Sequence, residues 1–155
     1  YFAKYNGEGW MKDLKNTFKS LEKRLRDANW FTDDWEIYNR GVYLQLYKSN
    51  WHNHNQGGIH FETYIEKPQL KKKEFPICMH AENDCPSQPT FVEKFLELEG
   101  NRIQSWKGYH AVGKGHAIFQ RSFPLNFKKL DERLFNEFNH LRTLDSTVDQ
   151  VLHSL

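Results

Sequence analysis

The chain has 155 residues, a length that suits a single domain with its own hydrophobic core. Charged residues make up 27% of the composition and aromatic residues 15%, which excludes a disordered chain. The formal net charge of +2 is far from that of a strongly basic protein, so charge alone gives no argument for nucleic-acid binding. We therefore expect one folded domain over residues 1–155.

Residues 8–29 predict an amphipathic helix, because apolar side chains recur there at spacings of three and four residues. The apolar stripe consists of Leu14, Phe18, Leu21, Leu25 and Ala28. Residues 30–38 combine aromatic with acidic side chains. We interpret them as a connector whose aromatic side chains cover an edge of the sheet.

Three segments with alternating apolar and polar residues follow, and each predicts a strand. They span residues 41–51, 59–66 and 75–82. A polar turn with two glycines, Gly57 and Gly58, separates the first two segments, and the basic turn 68–73 separates the last two. Because these connections are short, we expect an antiparallel meander.

The second half of the chain predicts a helix, two strands and another helix. Thr90, with a glutamate three residues later, is typical of a helix start, and Gly100 is placed to end that helix. Alternation predicts strands over 102–112 and 116–123, and an apolar stripe predicts a long helix from about Phe127. The predicted fold is α+β, in the order α-β-β-β-α-β-β-α. It has a five-stranded, mostly antiparallel sheet with helices packed on one face.

Two of the predicted strands carry the pattern His-x-Glu, with His60 and Glu62 in one and His80 and Glu82 in the other. Residues two apart in a strand point to the same face, so each pair lies on the polar face of its strand. Imidazole and carboxylate groups suit zinc, manganese or iron. These four residues are our candidate metal site, with a divalent metal as cofactor of a metal-dependent hydrolase or lyase.

The same four residues have a second interpretation, as ordinary members of a solvated sheet face joined by weak cross-strand pairs. The register between the two strands decides which interpretation holds, because it determines whether the two His-x-Glu pairs lie next to each other. A slip of two residues would move the two His-x-Glu pairs apart.

The polar face of the sheet also carries aromatic side chains with basic side chains around them. Exposed tyrosines can stack bases while lysines hold phosphate, although lysines also serve simply to keep a surface soluble. The candidate binding face consists of Tyr43, Tyr47, His60, Glu62, Tyr64, His80, Glu82, Lys107, Lys114 and Arg121. Our first functional hypothesis is a non-catalytic binding domain with nucleic acid as its partner. A third is an interaction or immunity-type protein that docks a protein partner or its own copy.

Two further groupings of metal-ligating residue types have weaker patterns. His52, His54 and His60 match no metal motif of defined spacing. Cys78 and Cys85 with His80 are unlike a zinc finger, and neighbours two apart in a strand diverge too much for a good thiol–imidazole nucleophile.

The cysteines and the hydropathy bear on where the protein works. Only two cysteines are present, and no apolar run approaches the roughly 18 residues of a membrane span. We find no signal peptide pattern. We therefore expect a cytoplasmic protein with reduced thiols and no membrane partner.

Overall fold

The computed structural model of the chain describes residues 9–112 and 115–155. These residues form helices and strands that alternate along the chain. In order they are α1 (Gly9–Arg26), β1 (Trp35–Asn39), β2 (Tyr43–Lys48), β3 (Ile59–Tyr64), α2 (Lys67–Lys72), β4 (Glu74–Ala81), α3 (Gln88–Ser105), β5 (His110–Ala111), β6 (Ala117–Pro124), α4 (Leu130–Leu141) and α5 (Asp145–Ser154). A short 3-10 turn, Arg142–Leu144, joins the last two helices.

The strands form one six-stranded sheet in the order β1-β2-β3-β4-β6-β5. Every neighbouring pair is antiparallel. The α+β class, the antiparallel sheet and the meander β2-β3-β4 are thereby confirmed. The predicted number of five strands was wrong.

One face of the sheet carries the hydrophobic core, which it shares with α1, α3, α4 and α5. The helices contribute fully buried side chains such as Leu14, Phe95 and Phe138, and the strands contribute Phe61 and Met79. Burial of large apolar side chains contributes about 1.5–3 kcal/mol each, so this layer dominates stability. Among residues 9–112 and 115–155, no helix is long and apolar enough to cross a membrane.

The sixth strand is β1, in the segment that we interpreted as a connector. It pairs with β2 along its whole length, from Trp35 opposite Lys48 to Asn39 opposite Leu44. Only Trp35 of this strand is fully buried, and the other four residues are half-buried or exposed. An edge strand of this kind shows little apolar alternation, which is why the sequence pattern did not reveal it.

The predicted basic turn 68–73 is largely the helix α2. A capping box begins it, in which the side chains of Glu66 and Gln69 bond to each other's backbone N–H groups. Lys73 ends it in the left-handed conformation. The Glu-x-x-Gln pattern that starts this helix was present in the sequence, one turn before the lysines.

The predicted strand 102–112 is mostly helical. Helix α3 begins at Gln88 rather than Thr90 and continues past Gly100 to Ser105, leaving only the two-residue strand β5. Ile103 is fully buried and lies four residues after Glu99 on the buried side of the helix. Packing of this last turn outweighs the modest cost of a glycine inside a helix.

The loop 49–58 between β2 and β3 folds back over the polar face of the sheet. Trp51 anchors it, because its ring is fully buried against Phe61 and its Nε1 donates to Asp149 of α5 at 2.9 Å. Gly58 closes the loop at a point where a Cβ atom would overlap the His52 carbonyl group. The loop therefore depends on glycine at that position.

We predict that Gly58→Ala lowers the free energy of unfolding by about 2 kcal/mol or more, since the backbone must move to remove the overlap. The matched control is Gly100→Ala. This glycine lies inside α3 with open space around its Cβ position, so the change should stabilise the protein by about 0.5–1 kcal/mol. Urea unfolding measures both changes. Equal stability of Gly58→Ala and the unmodified protein would contradict this account of the loop.

Candidate metal centre

The register of β3 against β4 decides how the two His-x-Glu pairs meet. His60 lies directly opposite His80, and Glu62 lies directly opposite Cys78. Glu82 follows β4, and its backbone N–H donates at 3.0 Å to the residue just before β3, which continues the pairing. The two pairs therefore share one patch of the polar face.

The side chains of His60, Glu62, His80 and Glu82 form a compact group, which we call the His–Glu cluster. His60 Nε2 and His80 Nδ1 are 3.3 Å apart. Glu82 Oε2 lies 3.3 Å from His60 Nε2 and 3.4 Å from His80 Nδ1. Glu62 reaches His80 Nδ1 with Oε2 at 3.5 Å and His60 Nε2 with Oε1 at 3.7 Å. The structure thus brings all four residues of the candidate metal site together.

Exposure increases across the His–Glu cluster from one side to the other. The exposed fraction of the side chain is 0% for His60, 12% for Glu62, 19% for His80 and 27% for Glu82. The loop 49–58 covers the His60 side, while the Glu82 side is open to solvent. The cluster is therefore a half-enclosed site and differs from the fully solvated sheet face of the second interpretation.

One backbone hydrogen bond determines the tautomer of the neutral His60 ring. The Gly58 N–H donates to Asn53 Oδ1 at 2.9 Å, so this atom of the Asn53 amide is the acceptor oxygen. His60 Nδ1 lies 2.8 Å from the same oxygen and must therefore be the donor. In the neutral imidazole the lone pair is then on Nε2, the atom that faces the His–Glu cluster.

The same reasoning orients Gln45. Asn53 Nδ2 donates to Gln45 Oε1 at 2.9 Å, which leaves the Gln45 Nε2 amide group facing the cluster. That group donates to Glu62 Oε1 at 2.9 Å. Gln45 and Asn53 are both buried. Their hydrogen bonds therefore hold the Glu62 carboxylate and the His60 imidazole in fixed orientations.

On the other strand, Cys78 determines which nitrogen of His80 carries the proton. Burial, followed by the charges of Glu62 and Glu82, raises the pKa of the Cys78 thiol well above its usual value, so the thiol keeps its hydrogen. It donates this hydrogen to the Glu62 carbonyl oxygen at 3.6 Å. With the thiol hydrogen on that carbonyl, His80 Nε2, 3.3 Å from Cys78 Sγ, is the donor, and the lone pair on His80 Nδ1 faces the cluster.

Two imidazole lone pairs and two carboxylates consequently converge on one point. Burial lowers the pKa of His80, which favours its neutral form. A hydrogen bond from the His60 ring, in the form in which Nε2 also carries a proton, lowers the pKa of Glu82 despite burial, so that carboxylate stays charged. A group of lone pairs at these distances is stable only with a cation among them, either a proton or a metal ion.

An open depression of about 420 Å³ borders the cluster. Seven residues line it: Tyr43, Gln45, Gln56, Glu62, Tyr64, Glu66 and His80. The pKa values of Tyr43 and Tyr64 are raised, first by burial, so both phenols stay protonated at neutral pH. The cluster is therefore accessible to a small molecule from this depression.

The other residues of the candidate binding face are dispersed. Tyr47 is buried at 7% exposure, and Lys107 is exposed in the turn after α3. Arg121 pairs opposite the core residue Ile77, so it lies on the face that the helices cover. Lys114 lies outside the described residues. Lys107 and Arg121 thus do not border the tyrosines, because the longer α3 and the register of β6 place them elsewhere.

Sequence reasoning missed the roles of Asn53 and Gln45. Asn53 stands in a polar turn whose histidines, His52 and His54, drew attention instead, yet both of these are exposed. Cys78 and Cys85 are free thiols, and the expected divergence of Cys78 from His80 was wrong, since Cys78 Sγ lies 3.3 Å from His80 Nε2. The one signal for Gln45 was its position on the polar face of β2, between two tyrosines.

Comparison of the chain with protein-family models, curated proteins and solved structures finds no significant match. The function is therefore inferred from the chemistry of the His–Glu cluster.

We predict that Asn53→Ala lowers the free energy of unfolding by about 1–3 kcal/mol, because it leaves buried donors of Gly58 and His60 without an acceptor. Asn55→Ala is the control, since Asn55 is exposed in the same loop and its replacement should change stability by less than about 0.5 kcal/mol. Chemical unfolding followed by tryptophan fluorescence measures both. Equal effects of the two substitutions would show that Asn53 does not organise the cluster.

Proposed function

We propose that the His–Glu cluster binds a divalent metal ion, with zinc the best match, and that the protein is a metal-dependent hydrolase. His60, Glu62 and His80 are the ligands, each offering one atom within 4.8 Å of the others. Glu82 is the fourth group at the site. The observation that supports this most directly is the convergence of unprotonated imidazole nitrogens and carboxylate oxygens.

The distances between the proposed ligand atoms agree with tetrahedral coordination of zinc. Bonds of about 2.0–2.1 Å to nitrogen and oxygen place tetrahedral ligand atoms about 3.3–3.4 Å apart. Neighbouring ligand atoms around octahedral magnesium would be only about 2.9 Å apart, and magnesium also avoids imidazole. The distance of 3.3 Å between the two ligand nitrogens fits the first value, and the distances from Glu62 to those nitrogens, 3.5 and 3.7 Å, are slightly longer.

Hydrogen bonds around the ligands supply the support that metal sites require. The Asn53 carbonyl group accepts from His60, Gln45 donates to Glu62, and the Cys78 sulfur accepts from His80. Partners of this kind fix the tautomer of a ligating histidine and the direction of a ligating carboxylate.

The different exposure of the two carboxylates separates their roles. Glu62 is held by Gln45 and is nearly buried, as suits a ligand. Glu82 is the most exposed member of the cluster and stands where solvent enters. A zinc ion with three protein ligands lowers the pKa of a bound water to about 7, and a neighbouring carboxylate can accept its proton. We assign that acceptor role to Glu82.

The nucleic-acid hypothesis and the protein-docking hypothesis stay predictions. The depression beside the cluster is lined by two carboxylates, Glu62 and Glu66, and by no lysine or arginine among the described residues. Carboxylates repel phosphate, so this part of the polar face gives no support to nucleic acid as the partner.

We predict that protein purified without an affinity tag and stripped with EDTA binds one zinc ion in calorimetric titrations, and binds magnesium far more weakly. His60→Gln and His80→Gln should each weaken zinc binding by more than about 100-fold, since each removes a ligand. The control is His54→Gln, which replaces an exposed histidine in the loop 49–58. This variant should bind zinc as tightly as the unmodified protein does. Bound zinc should also raise the melting temperature. The metal site is wrong if zinc neither binds nor changes that temperature.

For the reaction, we predict that the zinc-loaded protein hydrolyses an activated ester such as p-nitrophenyl acetate faster than free zinc does. Glu82→Gln should keep zinc affinity within about tenfold while lowering kcat by about 10²–10⁴, because a general base is lost. Glu74→Gln changes an exposed glutamate at the start of β4 and serves as the control. Zinc binding without any hydrolysis would refute the hydrolase assignment alone.

A further inference from the structure

A second cavity lies on the other side of the sheet, between the ends of β4 and β6 and the helix α4. Its volume is about 320 Å³, at the lower end of the range for small-molecule sites. The floor is apolar and consists of Phe75, Ile77, Phe123, Leu130 and Leu134. The rings of Phe75 and Phe123 stack at 5.7 Å and give the floor a flat aromatic surface.

Two arginines, Arg121 and Arg133, and one glutamate, Glu137, stand at the rim of this apolar floor, so positive charge exceeds negative charge there. Arg121 has a side-chain exposure of only 26%, yet its guanidinium donates no hydrogen bond within the described residues. Its nearest carboxylate is Glu137, with Oε1 3.9 Å from Arg121 Nη1. This ion pair is too long for a hydrogen bond, so the Arg121 N–H groups have no hydrogen-bond acceptor among the described residues, while Glu137 Oε1 accepts from the Tyr109 hydroxyl at 2.8 Å.

Aromatic rings hold the Arg121 guanidinium in place. It lies 4.2 Å from the centre of the Phe123 ring and 5.8 Å from that of Tyr109. A guanidinium stacked on rings keeps its edge donors directed outward, in the planar arrangement that matches a carboxylate. Arg133 uses one donor group on the Asn126 carbonyl and adds a second positive charge to the rim.

We propose that this cavity binds a small amphipathic monoanion, a carboxylate attached to an apolar or aromatic body. The carboxylate pairs with Arg121, with support from Arg133, and the apolar body lies on the aromatic floor. The unused donors of a half-buried arginine beside an apolar cavity carry the assignment. The site is separate from the His–Glu cluster and does not depend on the proposed metal chemistry.

The experiment is a calorimetric titration of metal-free protein with 4-phenylbutyrate and, in parallel, with 4-phenylbutanamide. The two probes share the apolar body and differ in charge. We expect the acid to bind about tenfold or more tightly than the amide, because a charge-assisted pair with arginine is lost in the amide. Equal binding of the two probes, or no binding of the acid, would overturn the proposal.

Substitutions of single arginines test whether the acid binds in this cavity. Arg121→Gln should weaken binding of the acid to the level of the amide, and Arg133→Gln should weaken it less. The control is Arg40→Gln, because Arg40 lies near Tyr38 at the far edge of the sheet. This variant should bind the acid as the unmodified protein does.

The variant His60→Gln tests whether the acid binds at the His–Glu cluster instead. If this variant binds the acid as tightly as the unmodified protein does, the His–Glu cluster is excluded as the site. Loss of binding in His60→Gln contradicts the proposal. If Arg121→Gln does not fold, the comparison of acid with amide and the Arg133→Gln variant decide the matter.

Discussion

The register of β3 against β4 is the constraint on which the rest of this structure depends. Pairing His60 with His80 at once pairs Phe61 with Met79, so one register assigns the histidines to the polar face and the neighbouring side chains to the core. A slip of one residue would exchange these faces and bury charge among apolar helices. The energy of the core therefore specifies the geometry of the His–Glu cluster.

Burial of the polar cluster is possible because its groups have partners. Asn53 is the central one, since its amide serves Gly58, His60 and Gln45 together. The loop that carries Asn53 is attached to α5 through Asp149, which accepts hydrogen bonds from Lys48, Asn50 and Trp51. Helix packing on one face thus supports a polar network on the other, and a change in α5 would reach the cluster through the loop.

Our proposals for the two faces of the sheet have the same basis, because on each face polar groups converge beside an open cavity. On the polar face, His60 Nε2 lies 3.3 Å from both His80 Nδ1 and Glu82 Oε2. On the covered face, the half-buried Arg121 forms an ion pair with Glu137 at 3.9 Å, which is too long for a hydrogen bond. Polar and charged groups that converge beside a cavity are the usual candidates for ligand binding.

Local patterns in the sequence determined the α+β class, the three central strands and the pairing of His with Glu on the polar face, because alternation and helical spacing depend only on neighbouring residues. They did not reveal β1 or the true length of α3, where tertiary packing outweighed weak local signals such as Gly100. Helix α2 was predicted as a turn although its local capping pattern was present. The meeting of all four cluster residues, and the roles of Asn53 and Gln45, depend on register and on a loop that folds back across the sheet. Those contacts join residues up to 22 positions apart, and only the tertiary structure decides them.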